Sequence, residues 1–218
     1  MLFLVSEYNT GLLADILAVL LLIYILFTIN WPVLRRRQGT HHFFAGAIIV
    51  IAGLWLMRAG IKPGLHFHIL GVTALTLLMG WRLALLACAF VLAIMLIAGR
   101  LLPEDMGISF LLGCALPVLI TYQFYQQVYR RLPHNPFVYI LVAGFLNAGV
   151  TQACYAVILS AWYMHIELWS ASVVWNDLLT YLPLMMFPEG ITNGMFIAGM
   201  VSFHPRWLST FDEDSYFG

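Results

Sequence analysis

Apolar residues run through this chain in long unbroken blocks, without the strict alternation of a half-buried strand or the one-sided stripe of a surface helix. Blocks of this kind predict helices that are apolar all round, which only a bilayer or a very large core can surround. Seven are readable, at about 11–31, 43–58, 67–81, 83–102, 108–129, 137–164 and 178–203, the third being the shortest. A bilayer core of about 30 Å takes roughly 20 residues of helix. The pattern therefore predicts an all-α fold, a polytopic transmembrane helical bundle of six to seven spans. It forms a single transmembrane domain over 1–218, with an inner tail at 204–218. The breaks between blocks are turn-forming: Arg35-Arg36-Arg37-Gln38-Gly39, Ile61-Lys62-Pro63-Gly64, Pro103-Glu104-Asp105, Leu132-Pro133-His134-Asn135-Pro136 and Trp175-Asn176-Asp177. They leave no room for a soluble domain.

Composition narrows the class. The 218 residues are 62% hydrophobic and 9% charged, with a mean hydropathy of +0.91. A soluble domain carries about 25% charged and 45–50% apolar residues, so a soluble enzyme is excluded. Ten Lys+Arg balance ten Asp+Glu. The basic residues are scattered singly or in short runs, and no stripe exists to neutralise a phosphate backbone, which excludes nucleic acid as a partner. Cys88, Cys114 and Cys154 lie in apolar runs without a CxxC and read as small buried hydrophobes, not a disulfide framework or a thiolate zinc site. The first ten residues lack the positive region of a cleavable signal, and the apolar stretch after them is long enough to span. Insertion without cleavage is the expectation.

Charge placement then orients the bundle. With the N-terminus outside and the C-terminus inside, the inner face receives Arg35, Arg36, Arg37, Arg82, Arg130, Arg131 and Arg206, against Arg58, Lys62 and Arg100 outside. The same map puts Glu7, Glu104, Asp105, Glu167 and Asp177 on the outer face, where they would concentrate cations. Six of the seven tryptophans, Trp31, Trp81, Trp162, Trp169, Trp175 and Trp207, fall near block ends as an interfacial belt.

Imidazole is the commonest metal ligand, and the seven histidines divide by side. His41, His42, His134 and His204 fall at the inner face beside Arg or Pro and read as interfacial residues. His66, His68 and His165 fall at the outer ends of helices. His66-Phe67-His68 follows a Pro63-Gly64 turn. In an extended or turning stretch, residues two apart point the same way, so both rings can converge on one cation. On a regular helix they would diverge by about 200°, so convergence requires the turn to persist through His66; otherwise the pair is merely interfacial.

A few polar residues fall inside the blocks: Asp15, Asn147, Gln152, Glu189 and Asn193. An ionisable group at that depth costs about 2.5–3.5 kcal/mol or more to insert and is a functional candidate for that reason. Glu189 and Asn193, four apart in Phe187-Pro188-Glu189-Gly190-Ile191-Thr192-Asn193-Gly194-Met195, share a helix face. They either line a transport path or hydrogen-bond a neighbouring helix. Asp15, near the outer surface, reads as solvated or capping. Glycines at four- or five-residue spacing, Gly144 and Gly149, Gly190, Gly194 and Gly199 among them, predict closely packed helices.

The segment His68-Ile69-Leu70-Gly71 resembles the His-Leu-Leu-Gly segment of the CbiM/NikM type, and Pro188-Glu189-Gly190-Ile191-Thr192 resembles that family's Gly-Glu-Gly-Leu-Ile-Thr in its last span. These are the substrate-binding membrane subunits of energy-coupling-factor (ECF) transporters for cobalt and nickel. The order of the two motifs and the seven-span, N-out topology agree with the family. A closer likeness, through Leu132-Pro133-His134-Asn135, the 187–195 segment and the tail with Thr210-Phe211-Asp212, is to an uncharacterised proteobacterial CbiM-like branch. The resemblance implies that His68 is the pocket histidine. It departs at the start, where characterised members carry a Met-His whose amino terminus and imidazole are ligands, while this chain reads Met1-Leu2-Phe3. The expectation is that His66 supplies a replacement ligand, with His165 or an outer carboxylate as a third. Imidazole-rich sites suit Co, Ni, Zn and Cu alike.

These features together predict a permease or substrate-capture subunit for a divalent transition-metal ion in the bacterial inner membrane. The ion is bound by His66, His68 and His165 and passed inward along Glu189 and Asn193. No GxxxxGK[ST] occurs, so ATP drive would come from partner ATPase and coupling subunits. A haem-binding electron carrier using His66 or His68 with His165, or a structural subunit of a membrane complex, are the alternative readings. No HExxH, GxSxG or paired catalytic acids point to an enzyme.

Overall fold

A computed structural model describes residues 8–32, 40–57, 59–62 and 65–217, with backbone alone at 8–10, 40–41, 59–62 and 65–67. The Arg35-Arg36-Arg37 and Pro63-Gly64 breaks, Glu7 and Arg58 lie outside the described residues. Helices α1 (Tyr8–Thr28) and α2 (Thr40–Leu56) lead to strands β1 (Ala59–Lys62) and β2 (Leu65–Phe67). Next come α3 (Val72–Met79), α4 (Trp81–Ile97), α5 (Met106–Phe110), α6 (Leu116–Arg131) and α7 (Asn147–His165). The chain ends in α8 (Ala171–Asp177), α9 (Leu182–Phe203) and α10 (Glu213–Phe217). Two π-helical stretches, Leu111–Ala115 and Tyr139–Leu146, run into α6 and α7. Pro117, just after the first, has no N–H with which to close an α-turn, and a proline ring in a regular α-helix would crowd the carbonyl four residues back.

The helical reading holds with one correction. The expected third span, 67–81, opens instead on an antiparallel hairpin in which Gly60 pairs with His66 and Ala59 with Phe67. Its helix has only 8 residues, about 12 Å of rise, well short of a bilayer. Among the described residues, three helical stretches, Gly11–Thr28, Pro103–Arg131 and Pro136–His165, are long and apolar enough to cross a membrane. His42–Leu56 and Trp81–Ile97 are apolar but shorter. Helix α9 has 22 residues, with its apolar run interrupted by Pro188, Glu189 and Asn193.

The residues divide into two compact units. One comprises the chain up to His68 together with Arg82–Ala115. In it α1 packs on α5 so closely that a Cβ on Gly107 would meet the backbone of Asp15 at 2.5 Å. The Gly107 N–H donates to Asp15 Oδ1 at 2.9 Å, so Asp15 satisfies an open amide of α5 instead of standing in water. The outward side chains of α1, from Leu12 to Phe27, are apolar and exposed, as lipid requires. Cys88 and Cys114 are buried and unoxidised, in keeping with their reading as small hydrophobes.

The second unit comprises Ile69–Trp81 and the chain from Leu116 onward. Its centre is α3, in which Val72, Thr73, Leu75, Thr76, Leu77 and Leu78 are all buried. Helices α6, α7 and α9 pack around it. Gly190 and Gly194 let α9 approach Phe145: a Cβ on either would meet that residue at 3.1 or 2.9 Å. An aromatic cluster of Tyr125, Tyr129, His134, Tyr139, Phe211 and Tyr216 holds the C-terminal segment against α6 and the start of the Tyr139–Leu146 stretch. Burial, reinforced by Tyr129, pushes the Tyr216 phenol up to about 12.

Candidate functional site

The chain approaching α3 carries the histidine pair. Residues 65–67 are extended and helix begins only at Val72, so no helical twist separates positions 66 and 68. The side chain of His66 lies outside the described residues. His68 is half-buried, its ring edge-on to Trp55 with centroids 5.4 Å apart. His165, at the end of α7, is exposed and lies against Trp162 at 5.9 Å. Among the described residues no group of three or more His, Cys, Asp or Glu side chains comes together as a metal cage.

Glu189 and Asn193 occupy the start of α3. A helix N-terminus leaves its first amides without intrahelical partners, and here a second helix supplies them. The Leu70 N–H donates to Glu189 Oε2 at 2.7 Å and the Gly71 N–H to Oε1 at 2.9 Å. Asn193 Nδ2 donates to the same Oε1 at 2.8 Å and to the Glu189 carbonyl at 2.7 Å, while Asn193 Oδ1 accepts from the Ala74 N–H at 2.7 Å. Gly71 makes the geometry possible, since its φ of 65° is left-handed and places two successive amides against one carboxylate. Both oxygens of Glu189 are thereby bonded, and the group is 2% exposed. Of the two expectations for this pair, hydrogen bonding to a neighbouring helix is what the geometry contains.

A second polar row, legible only in part beforehand, crosses the same unit. Thr151 Oγ1 donates to Asn147 Oδ1 at 3.3 Å. Thr121 lies 3.0 Å from Thr151 and Thr73 lies 3.0 Å from Thr121. Each hydroxyl has one proton, so the row runs one way, from Thr73 to Thr121 to Thr151 to Asn147. Asn147 returns a bond to the Thr121 carbonyl at 3.0 Å. Asn147 and Gln152 were visible as polar residues in an apolar block. The threonines were not, because a lone Thr in a helix can satisfy its own hydroxyl on a preceding carbonyl and so carries no signal. Of the four histidines expected at the inner face, His134 packs on Tyr129 and His204 on Trp207.

Comparison with known proteins supplies the context for this arrangement. Curated protein sequences contain no match. Two crystal structures share the fold: a truncated transition metal transporter, at TM-score 0.72 and 14% identity over 91% of this chain and 96% of that one. The other, a transition metal transporter, aligns at TM-score 0.65 and 14% identity over 90% of this chain and 88% of its own. The family described as CbiM, the cobalt uptake substrate-specific transmembrane region, matches residues 7–207. A match over nearly the whole chain, with both motifs in place, means that the chain belongs to the CbiM family and is a membrane transport protein, not an enzyme.

Proposed function

We propose that this multi-pass protein is the permease, or substrate-capture subunit, for a divalent transition-metal ion of the Co, Ni, Zn or Cu class. The ion binds at an outer-face histidine site built on His66 and His68, with His165 or an outer carboxylate as a further donor. The N-terminus is outside and the C-terminus inside, and the chain works in the bacterial inner membrane as one transmembrane domain with ATPase and coupling subunits. The single observation that carries this reading is the backbone before α3: extended at 65–67, non-helical through Gly71, with two histidines two residues apart. Glu189 and Asn193 hold the first amides of α3. On the inward route they are the polar atoms the ion meets once those amides are released.

Calorimetric titration of the purified protein with Co²⁺ or Ni²⁺ tests the site. His66→Ala/His68→Ala together are expected to abolish binding, and His165→Ala to weaken it. Binding at wild-type affinity in the double variant overturns the assignment. Ligating imidazoles must be neutral, so protons compete with the metal and affinity should fall as pH drops through about 6.5. A flat profile from pH 7.5 to 5.5 argues against histidine ligands.

A further inference from the structure

The far end of α3 is held as deliberately as its start, and by a part of the chain that the metal-site reading does not use. Thr210 lies in the C-terminal segment between Trp207 and α10. Its hydroxyl donates to the Leu77 carbonyl at 2.7 Å. Tyr139 Oη lies 2.6 Å from the same hydroxyl. Because Thr210 has already committed its one proton to Leu77, Tyr139 is the donor in that pair. The bonds therefore form a relay from Tyr139 through Thr210 to α3. Tyr125 Oη donates to the Thr210 carbonyl at 2.6 Å, and the Ser209 N–H donates to the Leu78 carbonyl at 2.9 Å. The last carbonyls of a helix lack intrahelical donors just as its first amides lack acceptors. Thr210 and Ser209 supply those donors from 133 and 131 residues away in sequence, while Tyr125 and Tyr139, from α6 and the Tyr139–Leu146 stretch, hold Thr210 in place.

We propose that Thr210 is a positioning residue for metal binding: it fixes the C-terminal end of α3, as Glu189 and Asn193 fix the end that follows His68. The proposal rests on the histidine-site reading above. With only 8 residues, α3 has too few internal hydrogen bonds to set its own place and depends on outside partners at both ends. A helix seated at one end only can tilt or slide, and the segment 68–71 that enters it moves with it.

The test uses the full chain in detergent or nanodiscs, with Co²⁺ as the probe and four variants. Thr210→Val keeps the shape and removes the hydroxyl, taking the donor from Leu77 and the acceptor from Tyr139. Thr210→Ser keeps both. Thr210→Val should weaken Co²⁺ binding by about tenfold, the scale at which supporting partners act on metal sites, while Thr210→Ser stays within about twofold of wild type. Hydrogen exchange at the α3 amides should quicken in the valine variant alone. Thr210→Val binding Co²⁺ as tightly as Thr210→Ser overturns the positioning role. If the valine variant does not fold, Tyr139→Phe removes only the first link of the relay and should shift exchange and affinity in the same direction; wild-type values for both overturn the proposal. His68→Ala separates this from the underlying reading: wild-type Co²⁺ affinity there defeats the histidine site, whatever Thr210 does.

Discussion

At Glu189 a carboxylate sits 2% exposed in an apolar bundle and accepts three hydrogen bonds: two from amides of the α3 entry and one from the amide group of Asn193, one turn along its own helix. Bonds to a charged acceptor contribute about 1.5–3 kcal/mol each, and stranding buried donors costs about 1–3 kcal/mol apiece. Glu189→Ala strands the Leu70 and Gly71 amides and leaves the Asn193 amide group only its bond to the Glu189 carbonyl. It should lower stability by about 3–5 kcal/mol, read as a fall in thermal midpoint. Glu189→Gln, which keeps one acceptor oxygen, should lose roughly half of that. Equal midpoints for the two variants would mean that the carboxylate does not anchor α3. The importance of Glu189 was legible from its charge in an apolar block, since burial of an acid demands compensation. Its partners across the bundle were not: they are backbone amides 118 and 119 residues away, and backbone groups leave no mark in a sequence. Thr210 was legible only as part of a familiar tail.

The glycines show how an element acquires its packing. Gly194 and Gly199 look alike in sequence, spaced along one helix. A Cβ at Gly194 would come within 2.9 Å of Phe145, whereas one at Gly199 meets nothing within 4 Å. Gly194→Ala should therefore destabilise by about 1–3 kcal/mol through overpacking. Gly199→Ala should be neutral or stabilise by about 0.5–1 kcal/mol, because alanine fixes the helical backbone at lower entropy. Thermal midpoints of the two variants in one detergent decide it; a fall of equal size in both would remove the steric argument. Small residues at regular spacing thus mark helices able to approach each other without saying which faces do. The hairpin ahead of α3 carries the same lesson. The stretch 67–81 reads as one apolar block, yet Pro63 and Gly64 precede it, Gly71 takes a left-handed φ and Glu189 captures the amides of Leu70 and Gly71. The helix is consequently confined to Val72–Met79.

For the whole molecule the proposed arrangement predicts a sidedness that can be read directly. Seven basic residues on the inner side and three outside should place the C-terminus in the cytoplasm. A reporter fused after the tail that is active only in the cytoplasm should be active, and one that is active only outside should be silent; the reverse pattern overturns the orientation. Membership of the membrane class, the helical architecture and the transport family follow from quantities that are local and additive: apolar run length, charge count and two short motifs. Those properties the sequence determined by itself, because transfer of a side chain into a bilayer depends chiefly on that side chain. Tertiary structure alone decided which amides Glu189 would bind, that three scattered threonines would line up with Asn147, and that the tail would grip the end of α3. Apart from the bond between Thr151 and Asn147 within one helix, these pair groups 26 or more residues apart, and a hydrogen bond between them exists only once packing has brought donor and acceptor within about 3 Å.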